Sequence, residues 1–106
     1  MRLIDIPPYR RPGVNYTPGE GHFAVREVLE MMRRRGQLDG VEIDIDDGHP
    51  TEHAGENRDE EVLASITVGF LKRVREISEA GRYDAIVASG SIEPGFFAGR
   101  MISKVP

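Results

Sequence analysis

Apolar residues recur along the chain with two different periods. Short apolar or alternating runs, typical of strands, are each followed by a longer segment in which apolar residues recur every three or four positions, as in helices. The predicted strands are 2–6, 41–46 and 85–88, and the predicted helices are 22–35, 59–80 and about 93–102. This β-α-β-α-β-α order predicts an α/β fold, a three-layer sandwich around a parallel sheet with right-handed crossovers.

The strands differ in how deeply their patterns place them in the sheet. Segment 41–46 alternates apolar and acidic residues, which favours a strand near a sheet edge. Segment 85–88 reads Ala-Ile-Val-Ala, which predicts a strand covered on both faces. Segment 104–106 resembles the approach to another strand, so we expect residues 1–106 to be a single, incomplete α/β domain that ends before a fourth strand.

Composition narrows the classes of partner. The net charge is −4, which disfavours nucleic acid because phosphate binding needs a basic face. The chain has no cysteine, which excludes disulfides and thiolate chemistry on these residues. No apolar run approaches a membrane span, and the first residues lack a signal-peptide core, so we expect a cytoplasmic protein without a membrane partner.

The most informative stretch is 83–95, where the third strand runs into a glycine turn. Ser89, Gly90 and Ser91 place small residues and free backbone N–H groups at the carboxyl end of the strand, where open α/β sheets bind ligands. Pro94 suits the first turn of the following helix, whose N–H groups can hold a carboxylate. The alternative is a connecting loop whose residues are small for steric reasons.

Three other polar segments are candidate binding sites. The loop 9–21 follows the first strand and therefore lies at the same sheet edge as the serines. The acidic loop 47–57, which follows Asp46, contains two histidines, but the spacing of its acids and histidines matches no metal motif, so we predict a solvated loop and no metal. The arginine run 33–35 is interpreted as a solvated helix end, where cations suit the helix dipole.

The residues 83–87 and 93–95, followed by Ala98, Gly99, Arg100 and 102–106, resemble the aspartate/glutamate/hydantoin racemase superfamily. Members have Asp-Ala and two aliphatic residues, a short loop with a cysteine, Asp-Pro-Gly, a helix and an aliphatic-Pro-Val strand. The resemblance implies the first half of a two-domain fold with the active site between the halves. It also implies a cofactor-independent isomerase acting at a carbon next to a carboxylate or hydantoin carbonyl.

The resemblance breaks at the catalytic position. The family uses two thiols to move a proton across the substrate carbon, but its first cysteine falls on Gly90 here, so the catalytic residue on this chain is unknown. Arylmalonate decarboxylase-like relatives also have glycine there, and by that resemblance Ser91 and the N–H groups near Ile92 and Glu93 are hydrogen-bond donors to a carboxylate. The family also has an Asn-Pro-Asn-Thr pattern in its first loop, and residues 15–18 of this chain resemble that pattern weakly. The resemblance implies that three further residues line the site: Asn15, Tyr16 and Thr17.

Three alternatives to the isomerase stay open at this point. One is a one-base decarboxylase-type lyase, and another is a non-catalytic carboxylate-binding or regulatory domain. A third is a flavodoxin-like or response-regulator-like domain, which Asp46 and Asp47 suggest, although we see no matching acid at the end of the first strand. We expect a small carboxylate or hydantoin as ligand, and either a homo-oligomer or a missing C-terminal half, since a truncated sheet leaves an open edge.

Overall fold

A computed structural model describes residues 1–7, 23–46, 60–88 and 95–106, with side chains in the first helix described from Arg26 onward. The chain is of the α/β class and contains a small parallel sheet. The described elements are β1 (Arg2–Ile6), α1 (Phe23–Arg34), β2 (Glu42–Ile45), α2 (Glu60–Ala80), β3 (Ala85–Ala88) and α3 (Phe96–Ile102).

The described sheet has three parallel strands in the order β2-β1-β3. Ile4, in the central strand, pairs with Asp44 on one side and with Ile86 on the other. The prediction that the alternating strand lies toward an edge is confirmed for the described sheet. The first strand, β1, lies at the centre because the chain crosses over it between β2 and β3.

The core forms where α2 packs on one face of the sheet. Ile4 and Ile6 of β1 are buried against Phe70, Val74 and Ile77 of α2. These α2 residues are spaced by four and three, so one helical stripe covers the alternate residues of the strand. None of the described helices is both long enough and apolar enough to cross a membrane.

The helix α3 packs on the same side of the sheet, against α2. Gly99 of α3 is buried, and a Cβ added there would lie 3.0 Å from Cε1 of Phe70. The glycine therefore lets the two helices approach closely. As a result α2 and α3 together cover the inner residues of β1 and β3.

The predicted helix stops are largely confirmed, but the start of α3 is not. Gly36 and Gly81 follow the ends of α1 and α2, as expected. We expected α3 to begin near Glu93, whereas it begins at Phe96. Gly95 has a φ of 77°, a left-handed conformation that a right-handed helix cannot contain, so the helix starts after it.

The prediction that β3 is covered on both faces is wrong for Val87. Its side chain is 41% exposed, whereas Ile4 and Ile6 of the neighbouring strand are buried. Val87 is in register with Asp5 and so lies on the face opposite to the one that α2 covers. An apolar sequence predicts a strand but does not by itself ensure that both faces are packed.

The last described residues run along the outer edge of β3. The N–H of Ile86 donates to the carbonyl of Pro106 at 2.8 Å. The N–H of Lys104 donates to Oγ of Ser78 at 2.6 Å, which fixes this segment to α2. The contact at Pro106 is the kind that a fourth strand would make, and the existence of that strand stays a prediction.

Candidate functional site

The residues predicted to line the site all fall outside the described parts of the chain. Their positions therefore stay predictions, and so does the status of the acidic loop beyond Asp46. The residues concerned are Asn15, Tyr16, Thr17, Ser89, Gly90, Ser91, Ile92 and Glu93.

The predicted site residues lie in two segments, one after β1 and one after β3. The strand ends that lead into these segments are described, and they are neighbours. Ile6, the last residue of β1, pairs with Ala88, the last residue of β3. Because the strands are parallel, both chain segments leave the same edge of the sheet from adjacent positions. The tertiary structure therefore brings together the two starting points that the sequence placed on one edge.

Two buried carboxylates lie at this edge. Asp5 in β1 is 7% exposed, and Asp46, directly after β2, is 6% exposed. The N–H of Asp46 donates to the carbonyl of Asp5 at 2.8 Å. Charged side chains are rarely this buried without a partner, so each acid has a structural or functional reason for its position.

Arg73 of α2 forms an ion pair with Asp46. Nε of Arg73 lies 2.9 Å from Oδ2 of Asp46, and Nη2 lies 2.7 Å from Oδ1. Arg73 also contacts Glu76, one turn further along α2. The hydrogen bond to Asp46 raises the pKa of Arg73, despite its partial burial. The bidentate pair joins the carboxyl end of β2 to α2, which is a structural role.

Our sequence interpretation overlooked Asp5. We saw no acid at the end of the first strand, but Asp5 is the residue before the last of β1, and it is buried. The signal was present as a single acid among Leu3, Ile4 and Ile6. From the sequence alone, an acid inside an apolar strand is often assigned to a solvated face. Only the tertiary structure distinguishes a solvated acid from a buried one.

A second polar cluster lies toward the amino ends of the strands. The hydroxyl of Tyr83 donates to Oδ2 of Asp44 at 2.7 Å, and Nη2 of Arg2 lies 3.1 Å from the same oxygen. The Arg2 guanidinium carbon is 5.2 Å from the centre of the Tyr83 ring. Burial, and then the hydrogen bond to Asp44, raise the pKa of Tyr83. These groups satisfy one another, and they lie away from the edge that binds ligands in such sheets.

The described residues contain no group of three or more histidine, cysteine, aspartate or glutamate side chains that could hold a metal ion. The sequence matches no protein-family model, and neither curated proteins nor solved structures gave a significant match to it.

Proposed function

We propose that the chain is part of a cytoplasmic, cofactor-independent isomerase similar to the aspartate/glutamate/hydantoin racemase superfamily. Its substrate is a small molecule with a carbon next to a carboxylate or a hydantoin carbonyl. The observation that carries the proposal is the pairing of Ile6 with Ala88, since both predicted site segments start from these adjacent strand ends.

The strand order also supports a topological switch point at this edge, between β1 and β3. Right-handed crossovers from β1 to β2 and from β2 to β3 put α1 and α2 on opposite faces, which supports a three-layer arrangement with the predicted alternation of elements. The connections after β1 and β3 then diverge to opposite sides of the sheet. Such a topological switch point leaves a crevice at the carboxyl ends of the strands, where α/β proteins bind ligands.

Within that crevice, we propose that the segment after β3 binds the carboxylate. Ser91 and the N–H groups near Ile92 and Glu93 donate hydrogen bonds, and residues 15–17 line the opposite side. Donors directed at a developing oxyanion stabilise it by roughly 2.7–4 kcal/mol each. Gly90 stands at the position of the family's first thiol, so a thiol has to be supplied by another half of the protein. One-base chemistry, which this glycine favours over racemisation, would make the protein the decarboxylase-type lyase that is the alternative to the isomerase.

A second candidate function is a carboxylate-binding domain without chemistry. The observation that favours it is the absence of cysteine from all 106 residues, since the related chemistry needs a thiol. The predicted binding groups are the same in both cases. The two functions therefore differ in whether bound ligand exchanges its α-proton.

We also propose that the chain works with another chain, either a second copy or a C-terminal half. Phe97 and Met101 lie one turn apart on α3 and are 79% and 87% exposed. Large apolar side chains exposed together are typical of interaction surfaces. Light scattering over a concentration series tests this: a monomer at every concentration contradicts self-association.

The function is tested by α-proton exchange in D₂O, followed by NMR, with amino acids, hydantoins and arylmalonates. The isomerase proposal expects exchange that is lost on thiol alkylation, from a protein heavier than the 11.8 kDa of this chain. Ser91→Ala lowers the rate roughly 100-fold, whereas Ser65→Ala, a hydroxyl outside the predicted site, leaves it unchanged. Binding without exchange contradicts the isomerase and supports the binding domain, whereas neither binding nor exchange refutes both.

A further inference from the structure

A small pocket lies beside β3, on the side of the sheet covered by α2 and α3. Its volume is about 40 Å³, and it is partly open to solvent. Because roughly 10–15 Å³ of such space holds one water-sized group, the pocket accommodates about three heavy atoms. Most of the lining is apolar and includes Phe70, Val74, Ile86, Ala88, Phe96 and Val105.

Two polar side chains also line the pocket, and one of them is a cation. Arg100 of α3 is exposed, and its guanidinium carbon lies 5.9 Å from the centre of the Phe96 ring. Within the described part of the chain, no carboxylate pairs with Arg100. The ring holds the guanidinium beside the pocket, and a guanidinium is the side chain best suited to a carboxylate because it offers two parallel donors.

The other polar side chain of the lining is already engaged. Oγ of Ser103 donates to the carbonyl of Val105 at 2.7 Å and accepts from the N–H of the same residue at 3.2 Å. This hydroxyl therefore closes a local turn and contributes little to a ligand. The pocket thus presents one apolar cavity and one available cation.

We propose that this pocket binds a short, branched aliphatic carboxylate. The three-carbon branch fills the space between α2, α3 and β3, and the carboxylate pairs with Arg100. The volume is well below the roughly 150 Å³ of a cavity that holds benzene, which favours a small aliphatic group over a ring. The site contains none of the residues of the proposed isomerase site, so it stands or falls separately.

The probe for this site is 3-methylbutanoate, with 3-methylbutanamide as its neutral isostere. Titration into the full chain, followed by methyl NMR, is expected to shift the methyl signals of Val74, Ile86 and Val105. A ligand of this size is expected to have a Kd on the order of 1 mM. The amide and the Arg100→Gln variant are each expected to bind roughly tenfold more weakly, because a charge-assisted hydrogen bond is lost.

Lys104→Gln provides the matched control, since it removes an exposed cation that does not line the pocket. It is expected to bind 3-methylbutanoate like the unmodified chain. Arg100 is exposed, so a circular dichroism melt should show that Arg100→Gln folds normally. Equal affinities for acid and amide, equal losses in both variants, or shifts confined to methyl groups outside the pocket would each overturn the proposal.

Discussion

The ion pair between Arg73 and Asp46 provides the sharpest test of how this sheet edge is held together. The side chain of Asp46 is 4% exposed and that of Arg73 is 23% exposed. Replacing Arg73 with methionine keeps most of the apolar stem but removes the guanidinium. The carboxylate of Asp46 then remains buried without the guanidinium that now donates two hydrogen bonds to it.

The expected loss of stability follows from this burial. Removing one partner of a buried ion pair destabilises a protein by about 3–5 kcal/mol, because the other charge is left uncompensated. Arg73 lies at the rim of the core, so water can reach part of the site, and we expect a loss of about 2–3 kcal/mol. Replacing both residues, Arg73→Met with Asp46→Leu, should restore much of this loss, because the buried charge that the pair leaves behind is then also removed.

The assay is urea unfolding followed by circular dichroism, with the midpoint and slope fitted for each variant. The control is Arg75→Met on the same helix, where the side chain is exposed and a change within about 0.5 kcal/mol is expected. If Arg73→Met and Arg75→Met have the same free energy of unfolding, the pair does not hold β2 against α2. A double variant less stable than Arg73→Met alone would equally contradict the reasoning.

Three other predictions concern the core and the polar cluster, and each is measured by urea unfolding. Gly95→Ala should lower the free energy of unfolding by about 1–3 kcal/mol more than Gly81→Ala. The added Cβ would lie 3.1 Å from Cγ2 of Thr67 at position 95, whereas no atom lies within 4 Å of it at position 81. Equal losses of stability in the two variants would contradict the packing of α3 against α2. Ile66→Ala should lose about 2–5 kcal/mol, whereas Val68→Ala, at a side chain 68% exposed, should change little; similar losses would show that α2 packs differently. Tyr83 has a raised pKa in the folded chain, so above about pH 10 the unfolded state loses the phenol proton first and stability falls as pH rises. Tyr83→Phe should lack this contribution, and an unchanged pH dependence between pH 9 and 11 would refute it.

Local pattern predicted the type and order of the described elements and most of their bounds. The bounds predicted for β1 and β3 agree with the structure, and α2 differs from its prediction by one residue. These elements depend on the period of apolar residues and on glycines next to helix ends, both of which are properties of neighbouring residues. The start of α3 was missed because the left-handed conformation of Gly95 separates it from the helix.

The contacts at the sheet edge that carries the proposed site could not be predicted from local pattern, because they join residues far apart in the sequence. Asp46 and Arg73 are 27 positions apart, and no short-range pattern indicates that they pair. The burial of Asp5 likewise depends on the residues that pack over β1, which are distant in the sequence. For this reason the sequence pattern alone did not indicate that Asp5 is buried. The predicted ligand-binding residues themselves stay predictions, since they lie outside the described residues.

The sequence by itself determined which segments are strands and helices, since periodicity and glycine stops act over a few residues. It also indicated that the loops after β1 and β3 share one edge, because parallel strands end on the same side. Only the tertiary structure decided that these two strands are adjacent, with Ile6 beside Ala88. Strand order depends on which apolar faces pack together across long separations, and the same local pattern is compatible with several such orders.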